Sequence, residues 1–404
     1  MSRVTRLRGN AAAALVGTIV GGLLVLATQA GTMPAPSNQP QPEKFAPRAG
    51  SQTPRSGPAA LLAWSVGGLP PAAERAVERV PGTIVATSVY AGLDWIESSR
   101  SPDGSVLDAP PQGMAIPFEM AVVEPREYAQ LVPPGERDLV LSLERGEVLI
   151  PETEARLRGA GEGLELKLES HSARVSGVIS DTSTNGYEAL MRPPIPEGWA
   201  RADRFVLAVV RDCSQRRVRR ALEPVLEPGR AVRIRCGREQ PFLRYGDSVL
   251  PQLLIKDTFG EFAARPSSST IGAIEVDPVW REANIKTARL PALSSGDVTC
   301  HRAIFPQLRG ALRDLASEGL SYLIDREDFA GCYAPRFIER DPDGRLSHHS
   351  WGIGLDINRS ENTPGAKANQ DTRLVEIMRE WGFTWGGGWL YPDGMHFEWL
   401  RWAP

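Results

Sequence analysis

The sequence predicts an α+β protein in two folded parts, preceded by an N-terminal apolar helix. Three observations lead to that reading. Between Ala59 and Asn284, short apolar runs broken by Gly and Pro alternate apolar with polar residues, the period of half-buried strands. From Leu290 to the end, two stretches of helical spacing are interleaved with short strand-like segments, which predicts helices packed on one small antiparallel sheet. Ahead of both lies an uncharged apolar run from Ala11 to Thr28. At 404 residues the chain exceeds one ordinary domain, and its 42% apolar content suffices for real cores.

Residues 1–31 read as a signal peptide or an N-terminal membrane anchor. Arg3, Arg6 and Arg8 make a positive start. The 18-residue run behind them would reach about 27 Å as a helix, just enough to span a bilayer. Thr28-Gln29-Ala30 offers a cleavage site. Either reading sends the remainder across a membrane with the arginines left inside. Residues 32–58 carry prolines at 34, 36, 40, 42, 47, 54 and 58 among Ser, Gln and Gly, and so form an extended linker.

Residues 59–284 form a β-rich or α+β module. Strands are expected at Leu139–Leu143, Leu164–Leu168, Val175–Ile179, Phe205–Val210 and Ala231–Cys236, and a helix over Ser214–Leu226. His171, between two serines, reads as an exposed side chain. The run Arg216-Arg217-Val218-Arg219-Arg220 reads as a solvated helix face. The piece from Val148 to Val178 resembles the extracellular domain of ABC-type permeases, which implies a membrane-protein partner for this module. No catalytic constellation is visible here.

Residues 290–404 carry the helical spacing of Leu308, Ala311, Leu312 and Leu315, with Gly319 as the stop. A second helix over Asp371–Glu380 puts Leu374, Ile377, Met378 and Trp381 on one face. Ser321–Ile324, Tyr333–Ile338, Gly354–Asn358 and Met395–Leu400 read as strands. The tryptophans at 381, 385, 389, 399 and 402 read mostly as core anchors. Trp351 and Trp389 are also candidates to line a substrate cleft.

Four cysteines suit an exported protein. Their positions favour Cys213–Cys236 and Cys300–Cys332, one pair in each part. On the chain-entropy model each such loop closure contributes roughly 3 kcal/mol. Zinc held by four thiolates would want Cys-x-x-Cys, which is absent. His301, beside Cys300, reads as a surface residue. The net charge of −3 shows no basic excess, which argues against a nucleic-acid partner.

The chemistry concentrates at the C-terminus, where three of the five histidines lie. His349 and His396 offer imidazoles and Asp356 a carboxylate. Two His, one carboxylate and a water make a tetrahedral catalytic zinc site with an open position, the usual arrangement for hydrolysis. His348 competes with His349 for the ligand role, and spacing favours His349. Asp393, three residues before His396, is the candidate general base. Glu398 competes for that role. Two positions on from His396 in a strand, it faces the same way and could instead orient that imidazole.

These residues carry a specific resemblance. Ser347-x-His349-x-x-Gly352-x-Gly354-x-Asp356, followed by Asp393-x-x-His396-Phe397-Glu398-Trp399, resembles the signature of VanY-type D-alanyl-D-alanine carboxypeptidases and the related L-alanyl-D-glutamate peptidases, the LAS zinc metallopeptidases. Gly382-Phe383-Thr384-Trp385-Gly386-Gly387 matches the family's approach to the second His. The resemblance covers about Leu290 to Trp402. It implies zinc on His349, Asp356 and His396, Asp393 as base, and Ser347 at the family's Ser near metal or substrate. Three departures stand out. The base is Asp, as in the endopeptidase branch, rather than the carboxypeptidases' Glu. An alanine of the first motif is Gly354. The family's upstream arginine corresponds here to Arg336 as the candidate for substrate or oxyanion binding.

The function expected is therefore a zinc metallopeptidase acting on peptidoglycan stem peptides, carboxypeptidase-like or endopeptidase-like. It would stand extracytoplasmically, membrane-anchored or secreted to the cell wall. The alternative is a non-catalytic zinc-containing protein that binds the wall or signals. Asp393 argues for catalysis, because a binder needs ligands but no base.

Overall fold

One strand, Thr83–Arg100, runs through the upstream part and organises it. Its β-branched and aromatic residues suit a long ladder. It pairs antiparallel with Asp203–Val210 on one side and Ile116–Val122 on the other. The computed structural model describes residues 58–197, 199, 203–238, 242–247 and 250–403. The segments expected over 1–31 and 32–58 lie outside them, Pro58 apart. Among the described residues no helix is long and apolar enough to cross a membrane.

The ten-stranded sheet runs, in spatial order, Arg233–Gly237, Ala59–Trp64, Asp203–Val210, Thr83–Arg100, Ile116–Val122, Ala189–Met191, Glu147–Pro151, Ser172–Ile179 and Glu165–Leu168, with Val106–Asp108 beside the long strand. The last of these strands also pairs with the far end of Thr83–Arg100. Alternation along Ala59–Trp64 shows why it is buried on both faces. Leu61 and Ala63 pack with Val77 and Leu222 of the helices Ala72–Glu78 and Gln215–Leu222, whereas Leu62 and Trp64 pack with Phe205 and Leu207.

Four of the expected strands of this module are present within a few residues. Leu139–Leu143 is not: Arg137–Leu141 is helical. Pro133 and Pro134 open a helical turn at Pro134–Glu136 that leads into it, and the helix buries Val140 while Leu141 stays exposed. Apolar alternation alone misassigned this segment.

Downstream, helices Phe305–Ser317 and Thr372–Glu380 pack beside a three-stranded antiparallel sheet ordered Gly354–Asp356, His396–Trp399, Phe383–Trp385. Asp371 caps the second helix by accepting from the Arg373 N–H. A hairpin, Ile285–Arg289 with Asp297–His301, adds a second small sheet. Two expected strands are absent. Ser321–Leu323 is a 3-10 turn, because Leu323 and Ile324 bond back to Leu320 and Ser321 instead of to a neighbouring strand. Tyr333–Ile338 makes only isolated bridges, and Pro335 removes a ladder donor from it.

The downstream core also reaches back past the expected edge at 284. Phe259, Phe262, Ile274 and Trp280 pack in one cluster with Leu308, Leu374, Phe397 and Trp399. The helix Gln252–Phe259 explains this. Phe259 meets Trp399 edge-on, while Gln252 and Lys256 turn the other way into the upstream module. There Lys256, wholly buried, pairs with Glu188, and Gln252 donates to the same carboxylate at 2.7 Å. Arg158 pairs with Glu154 at 2.9 Å and Asp108 at 2.8 Å. Glu154, Glu188 and Glu261 come close enough to hold a cation, but Lys256 and Arg158 already fill that role.

Both disulfides form in the expected pairing, Cys213–Cys236 and Cys300–Cys332, with Cα separations of 5.7 and 5.3 Å. His301 is not on the surface. Its ring lies buried against Phe259 and Trp280, and burial pushes its pKa down to about 4.

Candidate metal centre

Local structure positions the first motif. Ser347 precedes the 3-10 turn His348–Trp351, and its Oγ accepts from the His349 N–H at 3.4 Å. Ser347 thus serves as a cap. Gly352 then reverses the chain at φ +68°, where a Cβ would stand 2.7 Å from the His301 backbone nitrogen, so only glycine fits. The chain enters the strand Gly354–Asp356, which pairs with His396–Trp399 in a register that sets Asp356 opposite His396. Directly paired residues share a face, so carboxylate and imidazole meet. Gly354 lies beneath both rings, since a Cβ there would be 2.9 Å from His396 Cε1 and 3.2 Å from His349 Cε1.

Three donor atoms converge. His349 Nε2 lies 3.2 Å from Asp356 Oδ1 and 3.2 Å from His396 Nδ1, and His396 Nδ1 lies 3.1 Å from Asp356 Oδ1. All three residues are buried. Four-coordinate zinc with bonds of 2.0–2.1 Å sets neighbouring donors about 3.3 Å apart, so this triangle fits one face of a zinc tetrahedron. The far nitrogens are also engaged. His349 Nδ1 is 2.7 Å from the Cys332 carbonyl oxygen, and His396 Nε2 is 3.2 Å from Glu398 Oε2. An N–H donated outward from each ring leaves Nε2 of His349 and Nδ1 of His396 as acceptors toward a cation.

The electrostatics are those of a buried, charge-dense site. Burial opposes ionisation of Asp356, but His349 and His396 outweigh it and hold the carboxyl far below its usual range. Burial likewise opposes charging His396, yet Asp356 and Glu398 overcome it and push the imidazole up to about 10. His349 is driven the other way, chiefly by burial.

The remaining expected residues fall unequally around this triangle. Asp393 is mostly buried, and its Oδ1 has no hydrogen-bond partner. Burial raises its pKa, as does the Asp356 charge, while His396 and Arg336 pull it back. Arg336 Nη2 lies 4.0 Å from Asp356 Oδ2, and burial lowers its pKa. Glu398 does not stand free beside the triangle, for it is held between His396 and His348, whose Nδ1 is 2.6 Å from Oε2. The half-buried Trp389 ring lies 5.3 Å from the His396 ring. Trp351 lines no cleft. It is fully buried against Phe262, with its Nε1–H donating to the Gly260 carbonyl at 3.2 Å.

Sequence reasoning missed two supports. Cys332 was legible only as a disulfide partner, although its carbonyl orients His349. His348 was legible only as a rival ligand, although it pairs with Glu398. Adjacent histidines before the Gly-x-Gly turn were the available signal for the second.

Residues 340–399 match the model of a family described as D-alanyl-D-alanine carboxypeptidase, which assigns a peptidase-type segment to this end of the chain. No curated protein matches the chain. Among solved structures, the periplasmic region of MacB from Actinobacillus actinomycetemcomitans aligns at 10% identity and a TM-score of 0.29, covering 44% of this chain and 87% of that one. The extracellular domain of the noncanonic ABC-type transporter YknZ from Gram-positive bacteria aligns at 10% identity and a TM-score of 0.28, covering 44% and 99%.

Proposed function

We propose that the chain is a zinc metallopeptidase that hydrolyses peptide bonds in peptidoglycan stem peptides. The observation that carries this reading is the convergence of His349, Asp356 and His396 in a buried triangle with zinc-sized edges. The family match over 340–399, which contains all three residues, supports it. Zinc bound there would supply Lewis acidity toward a peptide carbonyl and lower the pKa of water.

The chain's own residues divide the remaining work. Asp393, whose pKa is raised by burial and whose Oδ1 is unpartnered, takes the proton from the attacking water and passes it to the leaving amine. Arg336 brings a cation to the developing oxyanion. Glu398 and the Cys332 carbonyl hold the two imidazoles in the tautomer that a cation needs. Trp389 offers an apolar face beside His396 for a small substrate side chain such as that of alanine. Two disulfides favour an oxidising, extracytoplasmic setting, and the N-terminal apolar run would deliver or anchor the chain there.

Digestion of defined stem peptides, with the products weighed by mass spectrometry, identifies the bond cut. Asp393→Asn should retain stoichiometric zinc by elemental analysis and lose about 10²–10⁴-fold in kcat. Full turnover by that variant would remove Asp393 from its role. Protein that binds no zinc would sink the proposal, and zinc without turnover would favour a wall-binding protein.

A further inference from the structure

The segment that brings Trp389 to His396 begins in a 3-10 turn, Gly386–Gly388, whose Gly386 carbonyl accepts from the Trp389 and Asp393 N–H groups at 3.0 Å each. All three residues of that turn are glycines. Gly386 is required by close approach, since a Cβ would stand 2.7 Å from the Asp393 carbonyl oxygen, whereas Gly388 has open space around it. A run without side chains leaves the backbone many conformations.

Beyond that turn, its anchorage comes from residues more than 140 positions upstream in sequence. Arg233, on the strand Arg233–Gly237, donates from Nη2 to the Gly388 carbonyl at 3.0 Å. Asp247 Oδ2 accepts from the Leu390 N–H. The two side chains pair with each other, Arg233 Nη1 to Asp247 Oδ1, at 2.9 Å. One ion pair therefore grips the peptide groups on both sides of Trp389. Leu390 adds an apolar anchor, packing against the module's cluster that contains Leu243 and Tyr245. The preceding motif is tied to the same module, for Arg345 lies 3.9 Å from Asp203 and over the Tyr245 ring.

We infer that Arg233 and Asp247 are positioning residues for Trp389, so that the upstream module sets the substrate-facing wall of the peptidase site. The inference about substrate rests on the peptidase reading, whereas the clamp itself does not. It gives the module a part in substrate recognition: it fixes an indole face where a small apolar side chain of the stem peptide would dock.

The test uses the full chain with Asp247→Ala, Arg233→Ala and Asp247→Asn. Amide hydrogen exchange at 388–391 should rise about tenfold or more in Asp247→Ala, because the Leu390 N–H loses its acceptor. KM for the stem peptide should rise about tenfold with kcat and zinc content unchanged, the mark of lost ground-state positioning. Asp247→Asn, which keeps an acceptor oxygen, should restore much of the protection. Unchanged exchange in Asp247→Ala would refute the clamp. Raised exchange with an unchanged KM would refute its role in recognition. Peptide binding by calorimetry, in an Asp393→Asn background, decides the recognition arm without turnover. If the parent chain hydrolyses nothing, the peptidase reading falls while the exchange result still judges the clamp. If the peptide neither binds nor is cut, the recognition inference falls with it.

Discussion

His348 Nδ1 and His396 Nε2 approach the same oxygen of Glu398, at 2.6 and 3.2 Å. The carboxylate thus links the imidazole of His396, which faces Asp356 and His349, to that of His348, which stands outside that triangle. Burial opposes its ionisation, but His348 and His396 together outweigh that and hold it well below the ordinary carboxylate range.

From this link comes a prediction about metal affinity. Glu398→Gln should weaken zinc binding by about 10–100-fold, because the uncharged amide can turn either its oxygen or its NH2 to the ring, so His396 is no longer held in one tautomer. His348→Ala should weaken it less, since Glu398 stays in place. Competition against a chromophoric chelator measures both. Equal affinity across parent and Glu398→Gln would mean the carboxylate does not orient His396.

A second prediction concerns the buried contact between the helix Gln252–Phe259 and the end of the large sheet. Lys256 and Glu188 are paired with no solvent exposure. Lys256→Met would leave Glu188 buried without its cation, at a cost of about 3–5 kcal/mol. Replacing both residues by apolar ones of similar volume should recover most of that loss. Denaturant unfolding of the two variants checks it, and a single variant as stable as the double would contradict the account.

Acid stability supplies a third. His301 is buried, which depresses its pKa from an ordinary 6.5 to about 4. Below 6.5 the unfolded chain takes up a proton that the folded chain refuses, so this group's stabilising contribution is present above that pH. It drains away as pH falls toward 4. Thermal unfolding of the parent should therefore weaken over that window, and His301→Gln should show a shallower slope there. Parallel slopes would remove His301 as a source of acid sensitivity.

Much of the site was legible because it is local. The turn from Ser347 through Gly352 to Asp356 is encoded within ten residues, and the pairing of Asp356 with His396 follows once both segments are strands. Both disulfides were legible for a similar reason, as each closes a short loop. What failed was local pattern without partners. Leu139–Leu143 has strand alternation but begins behind two prolines, and Tyr333–Ile338 has strand composition but no ladder. Trp351, a candidate for a substrate cleft by its place in the motif, is buried against Phe262 instead.

The sequence by itself put forward His349, with His348 as its rival, Asp356 and His396 as candidate donors, in that order, and supplied the residues that turn the chain between the first two. Backbone geometry over a few residues dictates these, and it travels with the local chain. Only the tertiary structure decided the rest. It chose which nitrogen of each imidazole faces the Asp356 carboxylate, through Cys332 and Glu398. It drew Gln252–Phe259 into the downstream core, and it brought Arg233 and Asp247 to the peptide groups around Trp389. Those contacts join residues far apart in the chain, and no periodicity records which distant carbonyl or carboxylate a side chain will meet.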